Sequence, residues 1–522
     1  MSTGIGRDRR IVEHRAPAGA PDAAALSERP HAVVVGAGVA GFAAATGLAE
    51  RGVRVTVIER EEHLGGRVAS WTECANVSMS RGFHAFFRQY YNLRSLLRRA
   101  DPTLSGLVPL ADYPLIDAHG RRDGFRGLPR TPPWNALAFA LRSPTFRFRD
   151  LLALDVKAAA PLAAVSVPEI YSWLDGVDSE TFLRAINFPA AARHLAFEVF
   201  SRSFFMRPDE MSAAELATMF HIYFLGSSEG LTFDVPSASF AAALWAPLRA
   251  YLAEHGVEFR TGVAVTEVDT TGTRAFRVHE ATGETTEADG VVLATDVAGL
   301  RRIVASSSAL AHQPWRARVA GLRNAPPFLV LRLWLDRPVA RYRPAFLAAG
   351  GLEPLDNISV LDRYEREASD WAQRHHGSVV ELHAYAAGTR SDVPEREHVR
   401  DLRRRLIARL HSVYPETVPA SVVTEAAAWH ADCPRFGVGE FATRPRVHTP
   451  FDGLVVAGDG IRIDLPVALM ERAASTGWHA ANRLLAGWGL AGHPLYSVPT
   501  RGRVAPLRWL AAKRKVGRSC GY

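Results

Sequence analysis

Cysteine and long apolar runs are both scarce in this chain of 522 residues. Its three cysteines, Cys74, Cys433 and Cys520, lie far apart and form no CxxC or CxxH pattern. This spacing argues against a disulfide framework or a zinc site, and it suits a reducing cytoplasm. No stretch approaches the roughly 18 consecutive apolar residues that a membrane-spanning helix requires. We therefore expect neither a disulfide-rich secreted protein nor an integral membrane protein.

Lysine is also rare, since only Lys157, Lys513 and Lys515 stand among the 62 basic residues. A bias toward arginine mostly reflects genome composition, so the net charge of +8 carries no prediction of a nucleic-acid partner. The apolar fraction of 48% and the charged fraction of 22% are ordinary for a globular protein. At this length we expect two to four structural units.

The basic residues are concentrated at the end of the chain. Residues 501–522 contain seven basic residues and no acidic residue, with Leu507, Trp509 and Leu510 among them. This composition is typical of a segment that rests on anionic lipid, and it is equally compatible with a solvated basic tail.

One βαβ unit can be read from the pattern that starts at His31. The β-branched run His31–Val35 predicts a buried strand, residues 42–51 predict a helix, and residues 53–58 predict a second strand. A right-handed crossover would place the two strands side by side in a parallel sheet.

A glycine-rich loop, Gly36-x-Gly38-x-x-Gly41, stands between the first strand and the helix, and Glu59 ends the second strand. Gly36 permits the tight turn, Gly38 lets a pyrophosphate approach the backbone, and Gly41 lets helix and strand pack closely. The helix N-terminus supplies N–H donors for phosphates, and Glu59 is expected to accept hydrogen bonds from ribose hydroxyls. The four elements together favour a dinucleotide site over a glycine-rich turn without a ligand.

Two further elements distinguish FAD from NAD. Gly65-Gly66-Arg67 follows Glu59 closely, and Gly458-Asp459 ends a later buried strand, ahead of a helix containing Met470. With these elements the chain resembles the FAD-dependent amine oxidase and carotenoid desaturase superfamily from residue 31 to about 485. The resemblance implies that Asp459 binds the ribityl or pyrophosphate region, that the backbone near Met470 faces the flavin, and that Val265 meets the adenine.

The motif and the resemblance together predict noncovalent FAD and no metal. Arg67 is interpreted as a cofactor or loop anchor rather than a catalytic residue. The predicted cofactor-binding residues are Gly36, Gly38, Val39, Ala40, Gly41, Glu59, Arg60, Gly65, Gly66, Arg67, Gly82, Phe83, Val265, Gly458, Asp459 and Met470. His375, His376 and His430 are interpreted as surface or structural histidines.

The predicted fold class is α/β, with a Rossmann-type FAD-binding domain interrupted by a mixed, largely helical substrate domain. The predicted segments are a disordered extension (1–30), the FAD-binding domain (31–100, 235–309 and 440–495), the substrate-binding domain (101–234 and 310–439) and a basic tail (496–522).

Residues 81–93, Arg-Gly-Phe-His-Ala-Phe-Phe-Arg-Gln-Tyr-Tyr-Asn-Leu, resemble a characteristic stretch of the plant-type and cyanobacterial carotene desaturases. Phe83 and Arg88 depart from the leucine and glycine of that pattern. Within the family, the whole chain most resembles the bacterial carotene desaturase/methyltransferases, or isorenieratene synthases. That resemblance implies aromatisation of β-ionone rings, with a methyl group moving from C1 to C2.

His84 is the candidate catalytic residue, as a general base for the proton lost beside the flavin. It is also compatible with a structural role in the flavin loop, or with a covalent flavin link. An apolar substrate tunnel would need aliphatic and aromatic walls, although the same rings could form the domain core. The candidate rings are Phe197, Phe200, Phe204, Phe205, Phe220, Tyr223 and Phe224.

The expected substrate is a β-carotene-like carotenoid, and the electron acceptor is left open between a quinone and oxygen. The alternatives are a linear carotene desaturase or isomerase, an amine oxidase, and a flavin-bound carotenoid-binding protein without turnover. Because a carotenoid resides in lipid, we expect a cytoplasmic protein held peripherally at the inner face of the cell membrane.

Overall fold

The computed structural model describes residues 10–73, 77–110, 112–132, 134–145, 155–189, 192–193, 202–270, 275–388 and 394–502. The helices are Val39–Ala49, Tyr91–Leu97, Trp134–Arg142, Val156–Ala163, Glu169–Leu174, Ser179–Ala185, Ala213–Phe220, Ala246–Glu254, Val297–Ser306, Gln313–Ala320, Arg366–His375, Glu395–Val413 and Leu469–Gly487. Among the described residues, none of these helices combines the length and apolar character needed to cross a membrane.

A five-stranded parallel sheet forms the first layer of the fold. Its strands in spatial order are Glu258–Arg260, Arg54–Ile58, His31–Val35, Gly290–Leu293 and Leu454–Val456. The central strands are buried on both faces, as their continuous apolar sequences predict for a parallel sheet. Three distant parts of the chain therefore meet in one sheet, and their carboxyl ends share one edge.

The first helix, Val39–Ala49, begins three residues earlier than the sequence pattern predicts. Gly38 is its N-cap residue, so the last glycine of the loop already lies within the helix. All eleven residues of this helix are buried, because it packs between the sheet and the Leu469–Gly487 helix. The strand predicted over 53–58 is confirmed as Arg54–Ile58.

A seven-stranded mixed sheet forms the centre of the second region. Its strands in spatial order are Val422–His430, Phe328–Leu335, Ser378–Ala384, Asn357–Val360, Phe346–Gly350, Leu115–Asp117 and Arg122–Asp123. The Phe328–Leu335 and Ser378–Ala384 strands are buried along their whole length. One face packs against the Glu395–Val413 helix, whose Leu402, Leu406 and Leu410 are buried.

The helical segments between residues 134 and 254 pack mainly on one another, and the Ala246–Glu254 helix packs on the Val39–Ala49 helix. They are interrupted by strands that the sequence pattern does not show. The small sheets comprise Phe86–Phe87 with Phe233–Pro236 and Leu107–Leu110; Val265–Asp269 with Phe276–Glu280 and Thr285–Ala288; and Ser70–Glu73 with Val77–Ser80. The fold is thus α/β, with a parallel nucleotide-type sheet and a second mixed region. The exact segment boundaries stay a prediction.

The N-terminal part of the chain corrects one prediction. Residues 10–30 are not a disordered extension, since Val12–His14 pairs antiparallel with Leu495–Ser497 and Ala23 is buried. The order comes from backbone pairing with a distant strand, which no local apolar pattern reports. The predicted basic tail likewise begins inside this strand pair, and its residues 503–522 lie outside the described part of the chain.

Candidate active site

The glycine-rich loop after the first strand has the tight turn that its sequence predicts. Gly36 has a φ of +103°, a region that L side chains rarely adopt, and its N–H donates to the carbonyl of Ile58 at 2.8 Å. A Cβ atom at Gly41 would lie 1.9 Å from the carbonyl oxygen of Gly36. Only glycine therefore allows the helix to start against the end of the sheet.

The N-terminus of the Val39–Ala49 helix faces open space. A Cβ atom built on Gly38 would have no contact closer than 4.0 Å, to Gly65 and Gly66. The second glycine loop is fixed there because the Gly65 N–H donates to the carbonyl of Ala37 at 2.8 Å. Free N–H groups and a partial positive charge at this helix end suit a phosphate.

Glu59 is fixed at the end of the neighbouring strand. Its Oε2 accepts a hydrogen bond from the Ala37 N–H at 2.6 Å, and its Oε1 accepts one from the Glu61 N–H at 3.0 Å. A carboxylate has about four acceptor sites. Two of them therefore remain for the hydroxyl groups of a ligand, as the sequence analysis expects.

Arg67 and Asp459, which lie 392 positions apart in sequence, form a direct ion pair beside this loop. Cys433 is buried next to them, and burial raises the pKa of its thiol, so it stays protonated. Arg67 thus links the second glycine loop to the end of the last strand of the parallel sheet. Its role as a cofactor or loop anchor stays a prediction.

One large cavity, with a volume of about 290 Å³, collects almost all of the residues that the sequence singles out. The predicted site residues in its wall are Gly36, Gly38, Val39, Ala40, Glu59, Arg60, Gly65, Gly66, Arg67, Phe83, His84, Val265, Gly458, Asp459 and Met470. Gly41 and Gly82 lie behind this wall, where Gly41 contacts the loop and Gly82 contacts His383.

His84 occupies the wall where this glycine-lined part meets the rest of the cavity. Its Nδ1 makes a hydrogen bond of 2.8 Å with the carbonyl oxygen of Gly82, and its ring meets Phe240 edge-on at 5.4 Å. Burial lowers the pKa of His84 to about 4. The imidazole is therefore neutral near pH 7, with Nδ1 as the donor and Nε2 able to accept a proton.

The remainder of the cavity is lined mainly by aromatic rings. They are Phe83, Phe87, Tyr90, Tyr113, Phe205, Phe328, Phe346 and Tyr385. Phe83 stacks on Phe346 at 4.2 Å, and Tyr113 packs against Phe346 at 5.0 Å. The cavity thus joins a polar, glycine-lined end to an apolar end.

Most of the candidate wall rings belong to the domain core, the alternative that the sequence favours for each of them. Only Phe205 lines the cavity, whereas Phe204 packs on Phe436 and Tyr223 makes a 2.8 Å hydrogen bond to Tyr90 in the core. Phe220 and Phe224 stack on each other at 5.1 Å, also away from the cavity. Phe197 and Phe200 lie outside the described residues.

Polar residues of the wall also lie outside the sequence-based prediction. Arg202 and Asp356 line the cavity as an ion pair, and the Tyr385 N–H donates to the Asp356 carboxylate. Arg81 pairs with Asp432 at another part of the wall. Neither Phe328, in the fully buried Phe328–Leu335 strand, nor Asp356 carries a local signal of its place in the wall. Among the described residues, no group of side chains could hold a metal ion.

The family comparison matches most of the chain. The model of the family described as flavin containing amine oxidoreductase matches residues 39–485. A triple mutant of putrescine oxidase is a structural neighbour, with a TM-score of 0.63, 17% identity, and coverage of 88% of this chain and 99% of that chain. At this identity the neighbour shows the fold alone.

Two relatives are both described as carotenoid phi-ring synthase. The protein of Streptomyces griseus is 55% identical over 97% of each chain. The protein of Chlorobaculum tepidum is 27% identical, over 91% of this chain and 92% of its own. With the family match covering most of its length, the chain belongs to the flavin-containing amine oxidoreductase family.

Proposed function

We propose that the chain is a FAD-dependent carotenoid oxidoreductase that desaturates and aromatises β-ionone rings, as the isorenieratene synthases do. The observation that carries the proposal is the single cavity in which a dinucleotide-type loop meets a wall of aromatic rings. The 55% identity to a carotenoid phi-ring synthase supports a ring-modifying reaction on a carotenoid.

The residues present fit FAD. Gly38 leaves an open cradle at an uncapped helix N-terminus, and Glu59 retains free acceptor positions beside it. These groups would hold the pyrophosphate and a ribose, with Asp459, Met470 and Val265 at other parts of the same wall. When bound, FAD would supply one two-electron oxidation in each turnover.

The substrate chemistry follows from counting atoms on the ring. Aromatisation removes two hydrogens from C2 and one each from C3 and C4, while one methyl group moves from C1 to C2. Four hydrogens correspond to two two-electron oxidations for each ring. The methyl group stays within the molecule, so the reaction requires no methyl donor.

The chain's own residues would position the ring and receive its protons. The stack of Phe83, Phe346 and Tyr113 offers aromatic faces that hold an apolar ring and stabilise positive charge developing on it. Neutral His84 lines the same cavity and can accept a proton at Nε2. The apolar wall excludes water that would otherwise capture a carbocation.

An isotope experiment tests this proposal. β-Carotene labelled in the C1 methyl groups should give an aromatic product that keeps every label, with one labelled methyl on C2. Loss of label would contradict the methyl shift. New double bonds in the polyene with intact β-rings would instead indicate a linear desaturase.

A carotenoid-binding protein without turnover is the alternative from another class. Anaerobic mixing of the FAD-loaded protein with β-carotene separates the two. An enzyme bleaches the oxidised flavin absorbance, whereas a binding protein leaves it unchanged. The acceptor that reoxidises the flavin, a quinone or oxygen, can then be identified by adding each to the bleached protein.

We further propose that the protein sits peripherally on the inner face of the cell membrane, because its substrate resides in lipid. An apolar stripe on the Trp134–Arg142 helix supports this contact. Trp134, Leu137 and Leu141 share one face and are 60%, 47% and 63% exposed. Arg130 and Arg142 flank the stripe as exposed bases that can meet anionic headgroups.

The same helix is linked to the cavity by packed rings. Its Phe139 stacks on Phe125 at 4.6 Å, and Phe125 contacts Tyr113, which lines the cavity, at 6.2 Å. A carotenoid entering from lipid would therefore meet aromatic side chains between the membrane and the site.

A further inference from the structure

His84 also borders a second, smaller cavity, whose wall combines polar side chains with the rings of Phe83, Phe240 and Tyr364. This small cavity, of about 20 Å³, is lined by His84, Ser80, Arg332, Glu365 and Glu381 as well. This volume holds about one water molecule, and the surrounding hydroxyl and carboxylate groups can bind it. His84 is thus in the wall of both the large cavity and this small one.

The small cavity leads to a third one that opens to solvent. Glu365 lines both, and the third cavity, of about 350 Å³, is also lined by Glu367, Asp370 and Arg374. Asp370 and Arg374 are exposed on the Arg366–His375 helix, so this cavity reaches the surface. His84 and Glu365 both line the small cavity, which together with the third cavity forms a passage from the substrate site to solvent.

Glu365 is the carboxyl group along this passage that can exchange protons near neutral pH. Burial raises its pKa to about 7; the Arg332 guanidinium opposes this, and the charges of Glu381 and Glu367 add to it. Its contact with Arg332 is long, 3.4 Å.

Glu381 behaves differently, although it lines the same small cavity. Burial would raise its pKa, but Arg332 at 2.7 Å and His383 at 2.8 Å lower the pKa of Glu381 to about 2. It therefore stays charged. Tyr364, also in the wall, stays protonated because burial raises its pKa well above the usual range.

A second hydrogen-bonded chain leaves the large cavity but ends at a group that holds no proton. Tyr385 contacts His383 at 2.5 Å, and His383 contacts Glu381 at 2.8 Å. Glu381 is tied to Arg332 by two hydrogen bonds, so a proton delivered there would break a buried ion pair. This chain therefore supports the sheet, whereas Glu365 is held by a longer contact with Arg332.

The proposed oxidation requires an exit for a proton. Each two-electron step breaks two C–H bonds: one hydrogen leaves with its electron pair to the oxidant, and the other leaves as a proton. The aromatic rings that would surround the substrate cannot hold that proton. We propose that Glu365 is the carboxylate that takes the substrate proton from His84, through the small cavity, and releases it to solvent. This proposal rests on the proposed function.

The test is the rate of anaerobic flavin reduction by β-carotene in FAD-loaded protein from about pH 5 to about pH 9. Glu365 accepts a proton only when it is ionised, so the wild-type rate should rise as the pH passes about 7. Glu365→Gln should lower the high-pH rate at least about tenfold and remove the rise. Glu365→Asp should restore a pH-dependent rate, whereas Asp209→Asn, which removes an exposed carboxylate outside these cavities, should match the wild type.

A second measurement does not depend on turnover. Infrared titration should show a protonated carboxyl band with a midpoint near pH 7 that is absent in Glu365→Gln. The Gln variant should fold, because Arg332 keeps both hydrogen bonds to Glu381. Should it fail to retain FAD, Glu365→Asp and the wild-type infrared titration decide the question.

Two results would overturn the exit. These are a Glu365→Gln variant with wild-type rate and pH profile, or infrared titrations in which the wild type and this variant show the same carboxyl bands. The comparison is needed because burial also raises the pKa of Glu471, to about 8. A wild-type protein that is not reduced by β-carotene while the infrared band titrates as expected would contradict the proposed function instead.

Discussion

Glu471, which lies on the Leu469–Gly487 helix, caps the N-terminus of the Tyr91–Leu97 helix through its contacts with Asn92 and Leu93. Its Oε1 accepts hydrogen bonds from the N–H and side-chain amide of Asn92 at 2.8 and 2.6 Å, and its Oε2 accepts one from the Leu93 N–H at 2.9 Å. These N–H groups belong to the first turn of the Tyr91–Leu97 helix. The Asn-Leu end of the 81–93 segment is therefore fixed to the Leu469–Gly487 helix beside the cavity.

Replacing Glu471 with alanine should destabilise the protein strongly. The substitution leaves the buried backbone N–H groups of Asn92 and Leu93 without an acceptor, which costs on the order of 2–5 kcal/mol in the free energy of unfolding. The Asn92 side-chain amide keeps its hydrogen bonds to Ser475 and to the Tyr496 carbonyl. Chemical denaturation followed by circular dichroism measures the change. Glu471→Gln keeps one acceptor oxygen and should lose less, and an alanine variant as stable as the wild type would refute the capping role.

Glu215 should make the protein sensitive to acid. It is buried between Arg444 at 2.7 Å and Arg472 at 2.8 Å. Burial would raise its pKa, but these two charges outweigh burial and lower the pKa of Glu215 to about 2. Glu215 therefore binds its proton more tightly in the unfolded chain than in the folded protein. The ionised carboxylate contributes about 3 kcal/mol to the free energy of unfolding above its ordinary pKa, and this contribution is lost as the pH falls toward 2.

The measurement is the denaturation midpoint between about pH 5 and about pH 2.5. Glu215→Gln should be less stable at neutral pH, because two buried guanidinium groups lose their partner, and its stability should change less over this acid range. Asp209→Asn removes an exposed carboxylate from the same region and should keep the wild-type slope. An unchanged slope in Glu215→Gln would contradict the argument.

The nucleotide side of the site could be predicted because its signals are local. Gly36, Glu59 and Gly458 each stand at the end of a strand whose apolar run marks it in the sequence. Parallel strands bring their carboxyl ends to one edge, so residues far apart in sequence meet there. The ion pair of Arg67 with Asp459 follows from the same rule.

The substrate side could not be predicted in the same way. Tyr113, Phe346 and Asp356 reach the cavity through the strand order of the mixed sheet, and no local pattern encodes that order. Core rings and cavity-lining rings are also the same residue types in similar sequence surroundings. The sequence therefore does not tell that Phe205 lines the cavity and Tyr223 does not. The strand Val12–His14 is a further case, since its partner lies at the other end of the chain.

Glu59 should determine how tightly FAD is retained. Glu59→Ala removes a charged acceptor and should cost about 1.5–3 kcal/mol, or roughly a 10- to 150-fold increase in the FAD dissociation constant. Equilibrium dialysis with flavin fluorescence measures it. Glu62→Ala, an exposed neighbour in the same loop, is the matched control. A colourless protein that holds NAD in this cleft would overturn the prediction and the cofactor.

His84 should be required for fast flavin reduction if it is the base. His84→Ala should slow the anaerobic bleaching by roughly 100-fold or more, in the range for general base catalysis. His84→Asn can still donate to the Gly82 carbonyl but has no basic nitrogen, so it should be equally slow. Near-wild-type bleaching by the Asn variant would show that His84 only shapes the loop.

The exposed stripe on the Trp134–Arg142 helix should carry a large part of the membrane binding. Burial of a side chain such as leucine contributes about 1.5–3 kcal/mol, so changing Trp134, Leu137 and Leu141 to serine should weaken binding to anionic vesicles by at least about 30-fold. Vesicle sedimentation measures it, with FAD content as the check on folding. The matched control changes three other exposed apolar residues, Val418, Val422 and Val423, to serine.

Deleting residues 501–522 measures the contribution of the basic tail to membrane binding independently of the Trp134–Arg142 helix. If the tail also contacts lipid, each base contributes about 1 kcal/mol, and the loss should be greatest on anionic vesicles at low salt. The serine variant should instead lose binding to neutral and anionic vesicles alike, because its contribution is apolar. Vesicle binding that neither change reduces would remove both surfaces from the mechanism, and the carotenoid would then have to reach the cavity by another route.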